Sequence, residues 1–226
     1  MSDKYILKRS RRKTVSLTVK SDCTVVVSAP LKMNIKQIDE FVSKNSIWIE
    51  KQRMRLSEIE SCKQSFVIDY GTKVYFFGEK LPIIAENIRK AKLTETHILM
   101  PQNLNSEQIK QKLIALYKET AREYISTHLP YYSSLTGITA SKITISSAKT
   151  NWGSCTADRL HFSWHLIMAE KEVIDYVIIH ELTHIKHHNH SDAFWYEVSR
   201  FCPEWKTLRS KLKFYSEVLS REGWCD

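Results

Sequence analysis

"VIIHELTHIKHHNHSDAFW", Val177–Trp195, is the stretch on which the reading of the chain turns. It carries five of the nine histidines, and a glutamate directly follows the first of them. The residues before it, Glu172–Ile179, repeat apolar side chains at helical spacing and predict a helix running into the histidines. A turn takes about 3.6 residues, so His180 and His184 share a face, about 6 Å apart along the axis. Two imidazole nitrogens placed in this way can reach one metal ion. Zn2+ accepts nitrogen ligands at about 2.0–2.1 Å in a tetrahedral shell, and a catalytic site keeps one position for water. Glu181 stands next to the first histidine and can lean toward that water as general base, the H-E-x-x-H arrangement of zinc hydrolases. Imidazoles on so apolar a helix are costly to bury without a partner.

A catalytic zinc usually has a third protein ligand. His188 is i+8 from His180, about 12 Å along the axis, and His187 fails by a similar distance on a straight helix. His190 differs. Asn189 is suited to a left-handed turn that ends a helix, and Ser191-Asp192 offers capping chemistry for a new helix through Ala193-Phe194-Trp195. A turn there swings His190 back toward the metal. His187 and His188 read as cations favouring the helix C-terminus or lining the mouth of the site.

The remaining sequence bounds the answer. The chain has 226 residues with 42% hydrophobic and 26% charged side chains, an ordinary globular composition. No apolar run reaches membrane-spanning length, and the basic start "MSDKYILKRSRRKTVSLTVK" lacks a signal-type apolar core, so a cytoplasmic protein is expected. Cys23, Cys62, Cys155, Cys202 and Cys225 are scattered and odd in number, as free thiols in a reducing compartment would be. The net charge of +9 favours an anionic partner or substrate without naming one. The basic run Lys8–Lys13 suits phosphate-rich partners, or is a charged strand edge.

Along the chain, Thr14–Pro30 alternates about Ser21-Asp22 and predicts a β-hairpin; Ile35–Leu56 predicts one amphipathic helix. Gln64–Asn87 predicts short strands divided at Gly71 and Gly78, with one more strand at Thr96–Pro101. Ser106–Leu129 predicts a long helix with Ser106 as cap. Ser141–Thr150 and Arg159–Met168 predict strands about a turn holding Trp152-Gly153-Ser154-Cys155, and a last helix is expected near Glu204–Ser220. Cys155 meets the metal or is a small buried residue, the latter being favoured. His161, Ser163 and His165 share a strand face that contacts substrate or solvent.

"NWGSC" (Asn151–Cys155), followed by "LHFSWHLIMAEKEVIDYVIIHELTHIKHHNHSDAFW" (Leu160–Trp195), closely resembles the YgjP-like metallopeptidase family and, more remotely, the SprT-like and WLM zinc peptidases. "KRSRRKTVSLTV", "SAP" and "WI" in the first part fit the same family, so the likeness spans nearly the whole chain. It implies an α+β fold, with a zincin-like catalytic domain over 104–226 whose H-E-x-x-H helix packs on a small mixed sheet. The strand and helix patterns before the polar break Asn103–Ser106 predict a β-rich region with one helix, 1–103, ahead of it. The resemblance also implies His180, His184 and His190 as zinc ligands and Glu181 as the catalytic base. Many relatives carry a basic residue where this chain has Asn151; a role in gripping an anionic group would then be missing or taken by another side chain.

The leading expectation is a zinc-dependent metallopeptidase acting on polypeptides. The alternatives are a metal-dependent phosphohydrolase of nucleotides, suited to the basic charge although no P-loop occurs, and a nucleic-acid-associated module with a structural metal. A structural site has no need of Glu181. The oligomeric state is left open by the sequence. "RLHFSWHLIM" (Arg159–Met168) is expected to be the edge strand along the substrate cleft.

Overall fold

Alternating Val25, Val27 and Ala29 point one face of a strand inward, and these residues are 0–2% exposed. The structure, a computed structural model, describes residues 5–148 and 151–224. It divides into two compact units, Met1–Phe66 with Ser220–Gly223, and Val67–Leu219 with Trp224–Asp226. The architecture is mixed α+β, with six α-helices and three small sheets among the described residues.

The first unit contains β1 (Ile6–Ser10), β2 (Ser16–Val19) and β3 (Val25–Pro30), followed by α1 (Ile35–Lys44) and α2 (Ser46–Ser65). The expected hairpin is present: β2 runs antiparallel to β3 with Val19 opposite Val25. Its turn is held by the Asp22 Oδ1, which accepts the Thr24 N–H at 2.9 Å. Part of the basic run forms β1 itself, parallel to β3. Arg9 there donates to the carbonyls of Pro30, Leu31 and Met33 at 2.6–3.0 Å, satisfying three main-chain acceptors of one loop. The single helix expected over Ile35–Leu56 is two helices. Asn45 breaks it: its Nδ2 donates to the Phe41 carbonyl at 2.8 Å, a side-chain bond that competes with the helical ladder. α1 begins with a reciprocal capping box between Asn34 and Gln37. Ile38, Val42 and Ile49 of the two helices close the small core on β3.

The second unit opens with β4 (Lys73–Phe76), β5 (Glu79–Glu86), β6 (Lys92–Leu93) and β7 (Ile98–Pro101) in the order β4-β5-β7-β6. The expected boundary after Asn103 falls inside this unit. The β4–β5 turn is tied to the later chain by main-chain bonds, Phe77 N–H to the Ile167 carbonyl at 2.7 Å and Gly78 N–H to Met168 at 3.1 Å. Gly78 has φ +87°, and a Cβ there would strike Glu170 Cγ at 2.5 Å, so both conformation and space require glycine. α3 (Ser106–Thr136) is capped by Asn105, not Ser106, through a capping box with Gln108. It also runs past Leu129 through Pro130 to a left-handed Gly137.

Three strands follow, β8 (Lys142–Ser146), β9 (Gly153–Thr156) and β10 (Arg159–Ser163), in the order β8-β10-β9. Residues 149–150, the end of the strand expected over Ser141–Thr150, lie outside the described residues, as does Cys225. Two expectations change here. Gly153–Cys155 are strand, not turn, because the reversal is made by Ala157 at φ 57°. β10 is the central strand and ends at Ser163, where a 3-10 turn (Trp164–Met168) begins. The edge strand beside the site is β9. Helix α4 (Lys171–Lys186) packs on β9, α3 and the 3-10 turn and is buried on most sides, which explains its near-continuous apolar sequence. α5 (Asp192–Phe201) and α6 (Trp205–Arg221) follow, α6 belonging to this unit as far as Leu219. No described helix is long and apolar enough to cross a membrane.

Candidate metal centre

α4 brings His180, Glu181 and His184 to its C-terminal end, and the chain then reverses into α5. The reversal differs in detail from expectation. His187 ends the helix in extended backbone (φ −126°, ψ 99°), and no left-handed conformation occurs at Asn189. Asn189 acts through its side chain, whose Oδ1 accepts the Ser191 N–H at 3.2 Å. Ser191 occupies the N-cap position of α5 without a side-chain cap bond. The effect is nevertheless to return His190 to the two helical histidines.

His184 Nε2 lies 3.2 Å from His180 Nε2, and His190 Nε2 lies 3.1 Å from the same atom. Two ligands of a tetrahedral zinc at about 2.0–2.1 Å stand roughly 3.3 Å apart, so these separations fit one ion of that size. Among the described residues, His180, His184 and His190 form the one group of three able to hold a metal, with candidate ligand atoms all within 4.8 Å of one another. His187 and His188 do not join it, and neither does Cys155. Cys155 is half-buried, donates to the Ala157 carbonyl, and has its thiol pKa raised by burial and then by the nearby Glu181.

The supporting contacts orient these rings. His184 Nδ1 is 3.0 Å from the His187 carbonyl, which can only accept, so Nδ1 carries the proton and Nε2 is left bare. His187 thus serves the site through its backbone. The fully buried Phe194 packs against all three imidazoles at 4.4–4.9 Å between ring centroids. Burial pushes the His180 pKa down to about 3, helped by its histidine neighbours and Arg209, and the pKa of His190 is lowered for similar reasons. Neutral imidazoles are the form that binds metal.

Glu181 is 5% exposed, and burial pushes its carboxyl up to about 8. Its Oε2 is buried without a hydrogen-bond partner, a costly state that a nearby cation or water relieves. On its other side the carboxylate rests against Gly153: a Cβ there would lie 2.6 Å from Oε1 and 2.7 Å from Cγ. Sequence reading gave Gly153 a turn role and missed this contact. The donor set of three histidines, with an orphaned carboxylate beside it, fits a catalytic zinc.

The site opens into a cavity of about 430 Å3 lined by Trp152, Gly153, Tyr176, Trp195 and, from α6, Arg209 and Lys213, besides His180, Glu181 and His190. Ser163 and His165 are not among its walls. Both are 2% exposed, and Ser163 Oγ lies 2.7 Å from His165 Nδ1. The alternation expected of them ends where the 3-10 turn begins. His161 stays half-buried on β10.

No curated protein matches the chain. A crystal structure of the metallopeptidase zymogen abylysin from Pyrococcus abyssi is similar over 39% of this chain and 90% of that one, at 23% identity and a TM-score of 0.37. A family model for the YgjP-like metallopeptidase domain matches residues 13–215, and the chain belongs to that family.

Proposed function

We propose that the chain is a zinc-dependent peptidase of zincin type, with His180, His184 and His190 as ligands and Glu181 as general base. The observation that carries this reading is the convergence of three imidazole nitrogens beside a buried carboxylate with an unsatisfied oxygen. When bound, zinc supplies a Lewis acid that polarises a carbonyl and brings the pKa of its water toward about 7. Glu181 moves the proton. Its Oε2 takes it from the attacking water and delivers it to the leaving amine, while Gly153 leaves room for the carboxylate. Burial of Glu181 excludes competing water and strengthens each electrostatic contact.

The substrate proposed is a flexible polypeptide. In the order β8-β10-β9, β9 has one edge without a strand partner among the described residues, and its first residue, Gly153, lines the cavity with the adjacent Trp152. An extended peptide can add its backbone bonds along such an edge. A structural metal site would have no use for Glu181, and a phosphohydrolase is favoured only by the cations Arg209 and Lys213 in the cavity. Glu181→Gln decides among these. It is expected to keep its zinc and to cut unfolded protein about 10²–10⁴ times more slowly. Unchanged peptide turnover would remove Glu181 from this role, and Glu181-dependent hydrolysis of a nucleoside triphosphate without peptide cleavage would replace the peptidase reading.

A further inference from the structure

Two cations on α6 face the same cavity as the histidines. Arg209 and Lys213 stand at i and i+4, hence on one face of the helix, and both are exposed. Lys211, between them in sequence, is paired with Glu170 at 3.0 Å. Among the described residues, neither Arg209 nor Lys213 forms an ion pair. Among the described residues, Glu181 is the one acidic side chain lining the cavity, and it is buried beside the histidines. The cavity therefore presents two uncompensated positive charges next to the proposed reaction centre.

Arg209 is also held in place. Its guanidinium lies 5.1 Å over the Trp195 ring, and that ring stacks on His190 at 5.3 Å and on Trp205 at 4.1 Å. A guanidinium laid on an aromatic ring keeps its edge donors available, and that planar fork matches a carboxylate in two parallel bonds. The ring that carries Arg209 also packs on the third imidazole, so the anion position is tied to the metal position through one side chain.

We infer that Arg209 and Lys213 dock a carboxylate of the polypeptide substrate and so select which peptide bond lies at Glu181. The carboxylate is the free C-terminus of a chain or the side chain of an Asp or Glu near the cut bond. The inference takes from the proposed function only that the substrate is a peptide. A polyphosphate fits less well. Polyphosphate sites usually add main-chain N–H groups from a helix N-terminus or glycine-rich loop. Here α6 offers its side, and the one glycine among the described residues that line the cavity, Gly153, faces Glu181.

The test uses one flexible, otherwise neutral peptide sequence in three forms: with a free C-terminal carboxylate, with a C-terminal amide, and as the amide with one internal Glu. Binding is read by fluorescence anisotropy on zinc-loaded Glu181→Gln protein, and cleavage is read on the parent protein. A carboxylate form is expected to bind about tenfold tighter than the neutral amide, with an advantage that shrinks as salt rises. Whichever form gains identifies chain end or side chain as the source. Arg209→Gln and, separately, Lys213→Gln should each remove most of that gain, measured against the neutral amide on the same variant; Arg209→Lys should restore only part of it. Equal binding of all three forms, or variants that keep the preference, would overturn the inference, as would a nucleoside triphosphate that displaces every peptide. Preference in binding without cleavage by the parent protein would support the docking role while defeating the peptidase reading. Cleavage without preference would do the reverse.

Discussion

Gly153 shows how a single side-chain vacancy can govern the proposed chemistry. No positive φ demands glycine there; the demand is space, because a methyl group would meet the Glu181 carboxylate at 2.6–2.8 Å. Gly153→Ala is therefore expected to leave zinc content intact and to lower turnover by about 10²-fold, since small displacements of a reacting group are costly. Metal analysis with steady-state kinetics checks this, and a variant with full activity would show that Glu181 tolerates the shift. This contact was not legible in the sequence. Gly153 and Glu181 belong to β9 and α4, and no periodicity relates a strand residue to a helix residue across a packed interface. His190 was legible, because helical rise removed His187 and His188 from reach. The reason given for the turn was only half right, since Asn189 acts through its amide oxygen and not through a left-handed backbone.

Between elements, α4 and α5 are joined by a buried carboxylate. Glu197 is 6% exposed and lies 3.0 Å from Lys186 Nζ and 3.1 Å from Arg200 Nη1. Burial pushes its pKa up, but the hydrogen bonds and charges of Lys186 and Arg200 outweigh burial and hold it below the ordinary 4.5. The unfolded chain then takes up this proton more readily than the folded one. The stabilisation is present above the ordinary value and is lost as pH falls through the lowered one. Glu197→Gln is expected to cost about 1–2 kcal/mol near neutral pH. In denaturant titrations the gap between variant and parent should narrow below about pH 4.5; a constant gap would contradict the linkage. Elements with a strong local signal were read from sequence: the hairpin of β2 and β3, α4, and α6. The misread ones turned on a single residue whose tertiary setting decided its role. Asn45 split a helix through its amide, Pro130 failed to stop one, and Ala157 took the turn that Gly153 had been given.

At the scale of the molecule, the polar break at Asn103–Ser106 read as a boundary falls inside the unit that holds β4–β7. Main-chain bonds from Phe77 and Gly78 to the 3-10 turn have no signature in the sequence of either segment. The +9 charge gave a sign without a location, and Arg209 and Lys213 give it one within the site. Three histidines, from α4 and the turn after it, are proposed to hold one catalytic ion. Metal content and X-ray absorption on the purified chain and two variants test this most directly. The parent should hold one zinc per chain with nitrogen ligands at about 2.0–2.1 Å. His188→Ala should keep that zinc and His190→Ala should lose it or bind it far more weakly. Full zinc in His190→Ala, with loss in His188→Ala, would contradict the account.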